Sequence, residues 1–261
     1  MLLLSLLNEL IEKLKCFTVD DTLHFEEMFD EQFHALKYLH SKSINDAVFL
    51  SLVVLNALIS YQLSCSGERY WWEFARYFSN MKNIQFENIP EVFIEFLSKT
   101  TCGRRLRSQK ISRIRRAWNV VKQYATRIDW LIKNQKTFSL KLARALNSAA
   151  SAKTIVFSVK MLNYALRIVT KRKIISPMSV DIPLDSRIRT ISKVLGVENS
   201  LEFWRMTSRR LGIPPLHLDS LLWIGFRLAD HIEDISKFLE DRRIVEFLMV
   251  MRKIKQSLSH R

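Results

Sequence analysis

The sequence predicts an all-α fold, and three observations carry that expectation. Apolar residues recur at spacings of three and four through almost every long segment. Five glycines and five prolines in 261 residues supply too few turns for a many-stranded sheet. With 48% hydrophobic residues, a chain of this length buries a substantial core, in one large domain or two closely packed lobes.

Each element has its own justification. The opening MLLLSLLNELIEKLK lacks a basic leader region and a small-residue cleavage site, and its apolar residues fall into amphipathic register. Residues 2–16 are therefore expected to be the first helix, followed by a second amphipathic stretch over 22–41. The longest apolar run, AVFLSLVVLNALIS at 47–60, is shorter than a bilayer span and is broken by Asn56, so the helix over 45–64 reads as a core helix. In GERYWWEFARYF, within a helix at 68–81, Trp71, Phe74 and Phe78 share one face while Trp72 falls off it. A helix at 90–100 leads to a basic one at 105–124. There RRLRSQKISRIRR carries seven cations and no acid, and Ile111, Ile114, Trp118 and Val121 keep an apolar stripe. Helices at 138–146 and 151–170 follow. Two prolines then impose an extended path over 174–183, before helices at 186–195, 200–210, 216–229 and 234–257.

Forty-one Lys+Arg against 26 Asp+Glu give a formal charge of +15, which favours a polyanionic partner, nucleic acid first and an anionic membrane surface second. Residues 104–116 are expected to expose their charged side for phosphate contact. Lys171, Arg172, Lys173, Arg187 and Arg189 add further positive charge. Cys16, Cys65 and Cys102 are odd in number, far apart and form no CxxC pair, which argues against a disulfide framework, a zinc site or an iron–sulfur cluster and for a reducing cytoplasm.

The most informative stretch is SAKTIVFSVKMLNYA, where Lys153 and Lys160 stand seven residues apart in an otherwise apolar helix. Two turns separate them, so both amines project from one side. Either they run along apolar surface to solvent or they line a cleft. In the cleft case partial desolvation makes a lysine amine available as a nucleophile. Asp185, at the end of the extended segment, is placed to cap the next helix and to serve as a carboxylate partner for a lysine. Asp219 and Trp223 are one turn apart after a Pro-Pro helix start, which sets an acceptor beside a flat ring suited to a purine. Trp72 is a second stacking candidate.

Together the motifs GERYWWEFARYF, SAKTIVFSVKMLNYA, IPLDSRI and IPPLHLDSLLW resemble, in matching order and over most of the chain, the archaeal GO glycosylases. These are 8-oxoguanine DNA glycosylase/lyases of the helix–hairpin–helix superfamily. The resemblance implies two packed helical subdomains with a helix–hairpin–helix element and the active site in the cleft between them. One would comprise approximately residues 1–85 with 195–261, the other, catalytic, 86–194. It implies Lys153 as Schiff-base nucleophile and Asp185 as catalytic carboxylate, with Gln32, Trp72, Lys160, Asp219 and Trp223 lining the pocket for the flipped base. It implies no metal and no cofactor, a monomer in the cytoplasm at the nucleoid, and damaged double-stranded or single-stranded DNA as partner. The superfamily hairpin is glycine-rich before its lysine, whereas this chain reads LNSAASAK, with Ala and Ser in place of Gly.

Rival readings are a same-fold glycosylase for another damaged base, a noncatalytic helical nucleic-acid-binding protein, and a peripheral membrane protein held by its first helix.

Overall fold

The computed structural model describes residues 2–258, and all regular structure among them is helical. No described helix is long and apolar enough to cross a membrane. The chain divides into two compact units, one of Met1–Asp30 with Met178–Arg261 and the other of Glu31–Pro177.

The first unit contains α1 (Leu2–Leu14) and α2 (Val19–Phe29). After a long excursion of the chain it continues with α11 (Ser186–Val194), α12 (Ser200–Leu211), α13 (Pro215–Leu228), α14 (Ile232–Ile235) and α15 (Arg242–Gln256). A capping box starts α2, where the Thr18 side chain accepts from the Asp21 N–H while Asp21 accepts from the Thr18 N–H. Leu10, Leu14, Phe25, Leu218, Leu222, Phe247 and Met251 form the core where α1 meets α15 and α13 meets both α2 and α15. Gly225 is required at the α13–α15 crossing, because a Cβ there would lie 2.6 Å from the Phe247 ring. Inside this unit His217 Nδ1 and Glu26 Oε1 are 2.8 Å apart, both fully buried, so each satisfies the other's polar atom.

The second unit contains α3 (Glu31–His40), α4 (Asp46–Ile59), α5 (Gly67–Ser79), α6 (Ile89–Lys99), α7 (Arg107–Tyr124), α8 (Ile128–Lys133), α9 (Gln135–Ala145) and α10 (Lys153–Thr170). As the composition of residues 47–60 predicts, α4 is buried almost all round. It lies against α10, α7 and α6, while α3 packs on α5 and α10. Phe74, Phe78, Phe93 and Phe96 form an aromatic cluster between α5 and α6.

Four expectations are corrected here. The amphipathic stretch at 22–41 is two helices, because the chain turns extended at Asp30, where it passes from one unit to the other. The stretch at 234–257 breaks before Asp241, whose side chain caps α15 by accepting from the Arg243 N–H. The division of the chain also falls elsewhere: α3, α4 and α5 belong with α10, onto which the apolar surface of α4 packs, and no linker composition marks the change at residue 30. Finally, Cys65 and Cys102 are disulfide-bonded, with Cα atoms 5.2 Å apart, and Cys16 is free. Odd number and distance in sequence gave no view of their proximity, which a Ser64 N–H to Cys102 carbonyl hydrogen bond maintains.

Candidate active site

The second unit carries the hairpin and both lysines. After α9 the chain reverses at Asn147, whose φ of 47° lies in the left-handed region. The Ser148 N–H reaches back to the Ala143 carbonyl at 2.9 Å and the Asn147 N–H to that of Arg144 at 3.1 Å. Asparagine thus fills the helix-ending position that glycine usually takes. A further turn, Ala152 N–H to Ala149 carbonyl, brings the chain to Lys153, the first residue of α10. No side-chain cap closes this helix start and its first turn has no acid, so the positive end of the helix dipole is left for an anion.

Lys153 is exposed, while the rest of α10 goes inside: Ile155, Val156, Val159, Met161, Leu162 and Leu166 are buried. Arg113 on α7 pins this start. Its Nη2 donates to Thr154 Oγ1 at 2.6 Å and its Nε to the Leu58 carbonyl at 2.9 Å, so one guanidinium ties the turn bearing Lys153 to the end of α4. Burial pushes Arg113 below its ordinary pKa. Lys160 is 2% exposed, with its ammonium 5.8 Å from the Tyr164 ring centre. It therefore does not run out to solvent, which settles one of the two options for this residue. Asn163 Nδ2 donates to the Ile174 carbonyl and fastens the extended segment to α10.

Two further expected residues lie in the same unit. Gln32 is buried on α3, facing the start of α5, where its Nε2 lies 3.6 Å from the place a Cβ on Gly67 would occupy. Trp72 is half-buried on α5; its indole donates to Glu31 Oε2 at 2.8 Å, and the Tyr38 ring and the Arg76 guanidinium lie against it.

The first unit carries Asp185, Asp219 and Trp223. Asp185 caps α11, its Oδ1 accepting from the Ile188 N–H at 2.9 Å, while Oδ2 accepts from Trp223 Nε1 at 2.9 Å. The Arg187 guanidinium lies 3.9 Å from the Trp223 ring centre. Asp219, one turn before Trp223 on α13, is 2% exposed. Arg187, one of the residues expected to add positive charge around the site, is half-buried with its guanidinium packed on the indole.

The basic helix needs a correction. Arg104, Arg105, Arg107, Arg115 and Arg116 are exposed, but Lys110 is fully buried and Arg113 half-buried. The signal was legible, since reading the buried stripe Val121, Ala117, Ile114 back by one more turn lands on Lys110. Nothing in the sequence pointed to the clamp of Arg113 on Thr154. It depends on α7, α4 and α10 meeting in space.

A family model described as AGOG, N-glycosylase/DNA lyase, matches residues 11–256. An N-glycosylase/DNA lyase of Methanococcus maripaludis is 37% identical over 228 residues, covering 84% of this chain and 87% of that protein. One of Thermococcus kodakarensis is 37% identical over 218 residues, covering 83% and 82%. Among solved structures, the 8-oxoguanine DNA glycosylase of Pyrobaculum aerophilum complexed with 8-oxoguanosine superposes with a TM-score of 0.79 at 24% identity, over 94% of this chain and 96% of that one.

Proposed function

The chain belongs to the AGOG family of N-glycosylase/DNA lyases, and we propose that the base it removes is 8-oxoguanine, with Lys153 as the nucleophile. The observation that carries this reading is the placement of Lys153, an exposed amine at the uncapped start of a helix that is otherwise buried, directly after a tight hairpin. The 8-oxoguanosine complex of the Pyrobaculum aerophilum protein supports the choice of lesion.

In this mechanism the damaged nucleotide leaves the stack, at a cost of a few kcal/mol, and aromatic stacking at about 1–3 kcal/mol per ring offsets that cost. Trp72 and Trp223 supply the rings; Gln32, Lys160 and Asp219 supply polar contacts to the base edge. The Lys153 amine attacks C1′ as the bond from C1′ to the base nitrogen breaks; the base leaves with the bonding electron pair and takes up the proton that the attached amine gives up. Asp185 stabilises the positive charge that develops on the sugar. Loss of a proton from the amine and opening of the sugar give a Schiff base, and removal of a C2′ proton expels the 3′ phosphate by β-elimination. The hairpin and the exposed arginines of α7 hold the DNA backbone without reading its sequence.

Borohydride trapping on an 8-oxoguanine duplex tests the assignment. A covalent adduct formed by wild type and by Lys160→Gln, but lost in Lys153→Gln, is the expected result. Loss in Lys160→Gln alone moves the nucleophile to Lys160. Wild type that neither traps nor releases 8-oxoguanine, yet releases an alkylated purine or a mismatched adenine, overturns the lesion assignment.

A further inference from the structure

Trp223 has a feature that base stacking leaves unused, the bond its indole N–H makes to the carboxylate of Asp185. A carboxylate gripped at one oxygen can still turn about its terminal torsion, which is broad and soft. Here Oδ1 takes the Ile188 N–H from α11 and Oδ2 takes the indole N–H from α13, both at 2.9 Å. Donors from two helices hold both oxygens, so the plane of the group is set. The indole is itself held. It is 9% exposed, with a guanidinium 3.9 Å from its ring centre.

We infer that Trp223 is a positioning residue for Asp185, its N–H fixing the orientation in which the carboxylate meets the developing charge on the sugar. Each oxygen keeps acceptor capacity beyond the one bond it makes, and that capacity is aimed by the two donors. The inference rests on the role proposed above for Asp185. It separates the two functions of the indole, because stacking needs the ring and orientation needs the N–H. A charge-assisted hydrogen bond of this kind corresponds to roughly tenfold to a hundredfold in rate when it acts on the transition state.

Trp223→Phe keeps a flat apolar ring and deletes the donor. Base release from an 8-oxoguanine duplex is followed under single-turnover conditions, and duplex binding is measured in a Lys153→Gln background, where no adduct forms. The expected result is base release slowed by about tenfold to a hundredfold with binding within about threefold of the parent. In an Asp185→Asn background, adding Trp223→Phe should change the rate by less than about twofold, because the carboxylate to be oriented is gone. Unchanged base release in Trp223→Phe overturns the inference. So does a loss of binding as large as the loss of rate, or a full independent effect in the Asp185→Asn background. Wild type that releases no 8-oxoguanine overturns the proposed function itself, before any variant is compared.

Discussion

Lys110 shows how far a single residue can depart from its type. It is fully buried, with its ammonium donating to the Gly103 carbonyl at 2.8 Å and lying 5.3 Å from the Tyr61 ring centre. Gly103 follows the loop that Glu73 holds through hydrogen bonds from Thr100, Thr101 and Cys102. Burial alone would raise the Glu73 pKa, but these bonds take it below the usual carboxylate value. Burial pushes Lys110 down to about 8 from an ordinary 10.5. Between those values the unfolded chain binds a proton that the folded one does not. The contribution of Lys110 to stability therefore rises with pH from about 8 to about 10.5, and is constant below and above that window. The span corresponds to an order of 3 kcal/mol. In urea denaturation, wild type minus Lys110→Met should grow in favour of wild type between pH 7.5 and 10. A difference independent of pH would mean that this amine keeps its ordinary titration in the fold.

At the scale of elements, periodicity was a good guide wherever an element has one wet face, and a poor one where chain direction changes without a change of pattern. α5 and α10 stand where their stripes predict, and Asp185 is the predicted cap of α11. The break at Asp30, the short α8 and the pairing of Cys65 with Cys102 left no trace, because each depends on what the chain meets in space. The candidate site residues stood out in the sequence for a related reason. Lysines on an apolar helix and a carboxylate after a proline-stiffened segment violate the local pattern, whereas Arg113 sits inconspicuously among other cations. The hairpin offers a direct test of how a glycine-free sequence makes this turn. Asn147 alone in it adopts the left-handed conformation, so Asn147→Gly should leave thermal stability and borohydride trapping essentially unchanged, while Asn147→Val should cost about 1–2 kcal/mol. An equal penalty for both would show that the asparagine side chain, not its backbone tolerance, makes the turn.

Over the whole molecule the surplus charge is confined to one unit. Residues 31–177 hold 25 Lys+Arg and 8 Asp+Glu, while the remainder of the chain holds 16 and 18. From 104 to 177 there are 19 cations and a single acid, Asp129. The unit that holds the hairpin and Lys153 therefore also holds the surplus positive charge that suits a polyanion, whereas the unit that holds Asp185 is slightly acidic. This division makes salt dependence a regional property. Each phosphate neutralised contributes about 0.9 to the slope of log affinity against log salt on duplex DNA. Neutralising Arg115 and Arg116, exposed on α7, should lower the slope by close to 2 and weaken binding to lesion-bearing and undamaged duplex alike. Neutralising Arg209 and Arg210, equally exposed on α12 in the other unit, removes the same formal charge and should leave the slope nearly unchanged. The same drop for both pairs would mean that binding follows net charge alone, and the assignment of the α7 face to the DNA backbone would fail.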